Sequence, residues 1–267
     1  MYWILQDNMF QEEGFHRLVD VLERFGLPYS IHKVLPFGGG IVPDPVPTEE
    51  RVIVMGSYTM ARIARERGWT PGSFDNANLD YTIQRGHWGA RMLNGDSIVT
   101  RFDEVPEQIK PFFIRPVLDS KSFNGQVKDW PSFVEWRDRV LTHGADNGGT
   151  LCGETMVMTS RVKAIHREYR LWILDGKVIT SSLYKMGGRA LFGIGSHMVH
   201  APQMDDNVIS YAEETAQLWS PCRAYVMDIA DTPEGLRVIE VGCMNAAGFY
   251  GADMGKLVEK LEYTNWM

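Results

Sequence analysis

Asp228 and Glu240 lie in two apolar runs, Tyr225–Ala230 and Leu236–Val241, separated by an Asp-Thr-Pro-Glu-Gly turn. Pairing the runs about Glu234 sets Asp228 opposite Glu240. Cross-strand neighbours sit roughly 5 Å apart at Cβ, and like charges there destabilise a sheet. Two accounts follow. Either both acids face solvent on a half-exposed antiparallel sheet, or they hold a divalent cation, with Asn245 beyond the strand as a third oxygen ligand. Magnesium suits the second account, because it takes one or two carboxylates together with substrate phosphates.

A second hairpin, Glu168 to Lys185, turns at Asp175-Gly176, a pair that favours a two-residue type I′ loop. That turn pairs Glu168 with Leu183, Arg170 with Ser181, and Lys185 with His166. Alternation then collects His166, Glu168, Arg170 and Lys185 on one face, opposite Leu171, Ile173 and Tyr184. The polar face is either a cationic cluster with a ligand to bind or a solvated surface carrying a weak Glu168–Arg170 pair. Arg115 lies in an otherwise apolar strand just before Pro116, where a charge is costly without a partner. Lys121 opens a Ser-Phe-Asn-Gly turn suited to a loop over phosphates. Arg115, Lys121 and Lys185 together can neutralise a triphosphate whose metals rest on Asp228, Glu240 and Asn245.

The elements that must position these residues fall into two patterns. Strands are expected at 2–5, 29–34 and 51–56, with helices at 15–25 and from Tyr58 to about Arg67, the second capped by Ser57. This order describes a small open sheet with a parallel core. Phe37 to Pro47 reads as a loop, and Gly38 to Gly40 lacks the spacing of a dinucleotide fingerprint or a Walker lysine. Beyond residue 80 the pattern becomes antiparallel α+β. Helices are expected at 81–93, 130–141 (Pro131 in its first turn) and 208–218 (capped by Asn207). Strands are expected at 97–100, 112–117, 151–158, 168–174, 177–184, 223–229 and 236–241.

Composition narrows the class. The 267 residues suffice for one large or two modest domains, and 44% hydrophobic with 23% charged content is that of a globular protein. A formal net charge of −7 argues against general nucleic-acid binding. Cys152, Cys222 and Cys243 are an odd, scattered set, which points to reduced thiols rather than a disulfide framework. No apolar run approaches the roughly 20 residues of a membrane span, and Met1 to Asn8 lacks the basic start and long apolar core of a signal peptide. A cytoplasmic protein without membrane attachment is expected.

Read in order, Phe113–Gly125, Glu168–Trp172, Ser182–Lys185, Tyr225–Ala230 and Val238–Tyr250 resemble an ATP-grasp protein, specifically the clade named for one arginine and two lysines, common in phages and bacteria. The similarity covers roughly residues 110–255. It implies an ATP-grasp fold at 81–267, with ATP held between two lobes, and a small pre-ATP-grasp α/β domain at 1–80. Arg115, Lys121 and Lys185 match phosphate-binding positions, and Glu154, Met156 and Val157 match the adenine-contacting linker. Asp228, Glu240 and Asn245 match metal ligands. The family often carries Glu-x-Asn, and Gly242 stands where that asparagine belongs. A phage origin would place the protein in the host's cytoplasm.

The reaction implied by the resemblance is ATP- and magnesium-dependent ligation of a carboxylate to an amine through an acylphosphate, with an amino acid or peptide as substrate. Arg170 would hold the acylphosphate or the acceptor carboxylate, and Glu168 would orient Arg170 or the amine. Two other functions stay open, an ATP-binding sensor or assembly component without turnover and a small-molecule kinase. Gly187–Gln203 and Asp75–Trp88 are expected to be the substrate-facing loops, with His197 a spare polar group. The substrates and the oligomeric state are not encoded in any motif.

Overall fold

The computed structural model describes residues 1–9, 13–35, 40–74, 78–118, 122–144, 150–192 and 205–266. They form two compact units, one of Met1–Asn76 with Ile165–Met267 and one of Ala77–Ala164.

The first unit begins with strands β1 (Tyr2–Gln6), β2 (Tyr29–Val34), β3 (Ile41–Val42), β4 (Arg51–Met55) and β5 (Thr70–Gly72), in the order β3-β2-β1-β4-β5. All neighbours are parallel except the β2–β3 edge pair. Helices α1 (Glu13–Arg24) and α2 (Tyr58–Glu66) supply the crossovers. β1 is buried on both faces, as a central parallel strand should be. Trp3 and Leu5 pack with Phe15, Leu18 and Leu22 of α1, while Tyr2 and Ile4 pack with Met60 and Ile63 of α2. Gly26, at φ 64°, ends α1 in a Schellman turn: Leu27 N–H bonds Leu22 O at 2.9 Å and Gly26 N–H bonds Glu23 O at 3.0 Å. Ser57 occupies the N-cap of α2 without a side-chain bond to it. Its own N–H is instead taken by Gln6 Oε1 at 2.9 Å.

The second unit is a four-stranded antiparallel sheet in the order β6-β9-β7-β8, with β6 (Ile98–Arg101), β7 (Phe112–Pro116), β8 (Gln126–Lys128) and β9 (Met156–Arg161). It carries helices α3 (Tyr81–Trp88) and α4 (Trp130–His143). Asp129 caps α4, accepting from Ser132 N–H at 2.9 Å. Phe102, Phe133 and Trp136 meet edge-on at the centre of its core. The strand expected from Leu151 begins only at Met156, because Leu151 is buried in this core ahead of the sheet. The helix expected at 81–93 runs over 81–88 as α3, capped by Asp80, so this part of the segment also expected to face substrate is helical.

The first unit resumes with a second, antiparallel sheet in the order β12-β11-β10-β13-β14. Its strands are β10 (Arg167–Leu174), β11 (Lys177–Met186), β12 (Arg189–Ala190), β13 (Ala224–Thr232) and β14 (Gly235–Cys243). Helices α5 (Asp206–Leu218) and α6 (Met254–Glu262) complete the unit. Asp205, not Asn207, caps α5, because its carboxylate accepts from Asn207 N–H at 3.1 Å and leaves Asn207 inside the first turn. Trp172, Leu174, Ala224 and Val226 join Trp3, Leu5 and α6 in one apolar core. Further along the same face the residues turn polar, and the candidate site starts there. Among the described residues no helix is long and apolar enough to cross a membrane.

Candidate active site

Cross-strand pairing aligns Ser182, Arg170, Asp228 and Glu240 in one row across β11, β10, β13 and β14. The next row on that face carries Lys185, Glu168 and Ala230. Backbone irregularities produce this alignment. The Asp175-Gly176 turn is the expected two-residue loop, with both residues at positive φ. Register shifts at Trp172/Ile173 and Glu168/Tyr169 then move β11 along β10. Lys185 therefore faces Glu168 rather than His166, and Arg170 faces Ser182 rather than Ser181. Tyr184 is the unpaired residue of the second shift and swings onto the polar face, contrary to its expected place with Leu171 and Ile173. In the other hairpin the turn is tighter than a loop centred on Glu234, with Thr232 paired to Gly235. A one-residue shift beside Ile229 restores Asp228 opposite Glu240 as expected.

Arg170 Nε and Nη2 donate to the two oxygens of Asp228, each at 2.8 Å, a bidentate pair. Lys185 Nζ lies 2.6 Å from Glu168 Oε1. Tyr184 Oη reaches Glu168 Oε2 at 2.9 Å and Asp228 Oδ2 at 3.3 Å. Its ring stacks on Tyr250 with centroids 4.9 Å apart, and the Arg170 guanidinium lies 5.0 Å from the Tyr250 centroid and 5.6 Å from that of Tyr184. Tyr250 has φ 47°, a costly conformation for an aromatic residue, and its carbonyl accepts from Arg17 of α1. Burial alone would lower the Arg170 pKa, but the Asp228 charge and hydrogen bonds outweigh it and hold the guanidinium above its usual value. Burial, then the Asp228 and Glu168 charges, push the Tyr184 phenol well above its usual value, so it remains a proton donor.

Asn245 stands apart from this cluster. It is 1% exposed, its Nδ2 donates to Val54 O at 2.7 Å, and its Oδ1 accepts from Phe74 N–H at 2.9 Å. Its own carbonyl accepts from Gly56 N–H at 2.8 Å. The amide thus ties the end of β4 to the segment after β14. Gly242 pairs with Val226, and a Cβ there would lie 3.3 Å from Val226 Cγ2.

In the second unit Arg115 pairs with Met158 on the face of β7 opposite buried Phe112 and Ile114. Val157 is fully buried in the core, on a strand paired along both edges. Met156 is half exposed and its carbonyl accepts from Val117 N–H at 3.0 Å. Glu154 is exposed, 3.8 Å from Arg101. Lys121 and His197 lie outside the described residues, as does most of the expected substrate-facing loop at Gly187–Gln203.

A family model for the ATP-grasp domain, the third family of the clade named for one arginine and two lysines, matches residues 54–261. The chain belongs to this ATP-grasp family. Solved structures agree on the fold of this ATP-grasp protein. The ATP-grasp ligase PsnB complexed with minimal precursor superposes with TM-score 0.53 at 14% identity, covering 98% of each chain. A RimK domain protein ATP-grasp from Sphaerobacter thermophilus superposes with TM-score 0.54 at 12% identity, covering 98% of this chain and 95% of that one. PsnB complexed with a phosphomimetic variant of its minimal precursor, Mg and ADP gives TM-score 0.53 at 14% identity, covering 98% and 96%. No curated protein matches the chain. The two tyrosines were absent from the expected ATP-grasp site. Tyr250 ends the segment Val238–Tyr250 that carries the resemblance, but nothing in the residue pattern marks the bulge that brings Tyr184 to the site.

Proposed function

We propose that this ATP-grasp protein is an ADP-forming ligase joining a small carboxylate, an amino acid or a peptide, to an amine. The observation that carries the reading is the row Arg170–Asp228–Glu240, with Glu168 and Lys185 beside it, in a chain that belongs to an ATP-grasp family. Asp228 and Glu240 offer only oxygen donors, as a hard cation requires. Among the described residues no three His, Cys, Asp or Glu side chains form a metal site, and a magnesium ion shared with phosphate oxygens needs only one or two carboxylates. Bound there, magnesium would neutralise and orient phosphate oxygens. Asn245 enters this proposal as a brace for the metal carboxylates, since its amide is committed to Val54 and Phe74.

The roles follow from charge and reach. Lys185, with Arg115 and Lys121, spreads the triphosphate charge, and backbone groups of Glu154–Val157 meet the base. The substrate carboxylate attacks the γ-phosphorus, the bond to ADP breaks, and an acylphosphate forms. Arg170 holds that acylphosphate while Glu168 orients the amine. The amine attacks the acyl carbon, phosphate leaves, and a proton is released with the new amide. The PsnB structures contain a precursor, which supports a peptide among the candidate substrates. Residues 1–80 are assigned to the pre-ATP-grasp domain and 81–267 to the ATP-grasp domain. The protein acts in a cytoplasm.

One observation favours a second reading, nucleotide binding without turnover. Gly242 leaves the position of the frequent family asparagine without a side chain, and Val226 leaves little room for one. Calorimetry with ATP and magnesium, repeated on Glu240→Ala, tests the site. Magnesium-dependent binding that the variant loses supports it, and ADP release on adding amino acids or peptides then separates ligase from sensor. A folded wild-type protein that binds no nucleotide refutes both readings.

A further inference from the structure

Five side chains form one continuous chain of polar contacts across β11, β10 and β13: Lys185, Glu168, Tyr184, Asp228 and Arg170. The order is cation, anion, neutral phenol, anion, cation. Glu168 gives Oε1 to Lys185 and turns Oε2 toward the phenol, whereas Asp228 gives both oxygens to Arg170 and shares Oδ2 with the same phenol. Tyr184 has a single proton for two acceptors, at 2.9 Å and 3.3 Å. A hydroxyl carries one donor, so the two bonds compete.

We propose that Tyr184 is a positioning residue that couples the phosphate side of the site to the metal side. The inference rests on the functional reading above, in which Lys185 binds phosphate and Asp228 binds metal. When Lys185 turns from Glu168 to a phosphate, Glu168 loses its cation and draws the phenol proton fully to itself. Asp228 Oδ2 then gives up the longer of its two hydrogen bonds, keeps the one from Arg170 Nη2, and becomes a better cation ligand. The converse holds by linkage: engaging Asp228 lone pairs with a cation sends the Tyr184 proton to Glu168, which releases Lys185.

The backbone around Tyr184 is arranged for this single placement. The register shift between Leu183 and Lys185 puts two consecutive side chains on one face, which regular alternation forbids. Tyr250, at φ 47°, backs the ring in a stack inclined by only 11°, and Phe192 leans on Tyr250 at 5.9 Å. Gly251 follows, its N–H bonded to Ser182 Oγ at 3.0 Å. A Cβ there would press to 2.7 Å from the Phe192 ring. The stack holds the ring and leaves the phenolic hydrogen free to choose between its two acceptors.

The test is the magnesium dependence of ADP binding by calorimetry, in wild type and in Tyr184→Phe, which keeps the stacked ring and removes only the hydroxyl. The ratio of ADP affinity with magnesium to that without is expected to fall by about tenfold in the variant, the scale of one hydrogen bond to a charged group. A hydroxyl that merely stabilised the fold would lower both affinities together and leave the ratio unchanged, and that result overturns the proposal. Glu168→Gln provides an independent check. It should reduce the ratio, and adding Tyr184→Phe to it should reduce the ratio little further. Additive losses in the double variant refute the shared-proton arrangement. Failure of wild type to bind ADP sinks the functional reading and this inference together, whereas magnesium-dependent binding with an unchanged ratio in the variants sinks this inference alone.

Discussion

Arg170 and Asp228 are directly opposed on β10 and β13, and the guanidinium grips the carboxylate through two bonds of 2.8 Å. Their side chains are 15% and 4% exposed, so each charge depends on the other for solvation. Removing one member of such a pair costs about 3–5 kcal/mol, whereas replacing both with apolar groups is often neutral. Asp228→Ala should therefore lose about that much in urea unfolding, and Arg170→Met with Asp228→Leu should recover most of it. A loss below about 1 kcal/mol in Asp228→Ala would mean that the pair is solvated like a surface one.

Lys185 and Glu240 separate function from stability. Lys185 is 38% exposed, and its pair with Glu168 is screened by water, so deleting it should cost no more than about 1 kcal/mol. Lys185→Ala and Glu240→Ala are each expected to abolish nearly all ATP turnover while the unfolding midpoint barely moves. Full turnover in either variant, followed by ADP release, would refute the proposed site.

Asn245 makes the opposite prediction. Its amide satisfies the Val54 carbonyl and the Phe74 N–H inside the unit, and each group left unpaired costs about 1–3 kcal/mol. Asn245→Ala should lower stability by that order while changing magnesium affinity little once the protein is kept folded. A stable variant with lost magnesium dependence would instead make the amide a metal ligand.

Acid should weaken the turn that carries the β10–β11 hairpin. Hydrogen bonds from Arg223, 2.7 and 2.8 Å long, hold the Asp175 carboxyl below its usual range. A depressed folded pKa contributes stability that is present above the unfolded value, about 3.9 for Asp, and is lost as pH falls through the folded value. Both side chains are about half exposed, and screening limits the contribution to about 1 kcal/mol at most. Asp175→Asn keeps a residue that tolerates positive φ. Its stability deficit at pH 7 should shrink toward zero as pH drops below 4. A constant deficit across that range would show that the charge plays no part.

Much of this was legible in the residue pattern. The parallel order of β1, β2 and β4 with helices α1 and α2, the Asp-Gly turn and the opposition of Asp228 and Glu240 were all readable from periodicity and turn chemistry, whereas β3 and β5 were not. The last of these held for a reason the pattern did not contain. A tighter turn and a compensating bulge leave the same two residues opposed. In the other hairpin nothing compensates, and the shifts at Trp172/Ile173 and Glu168/Tyr169 change every partner from Trp172 back to Arg167.

By itself, the sequence determined which charges exist, which runs are apolar and where the chain turns, because propensity and period act over neighbouring residues. Only the tertiary structure decided that Tyr184 faces Glu168 and Asp228, that Tyr250 backs it, and that Asn245 commits its amide to Val54 and Phe74. Those outcomes depend on bulges and on contacts between residues as far apart as Val54 and Asn245. A bulge leaves one residue unpaired locally and is offset by packing elsewhere, so no local pattern of residue types records it.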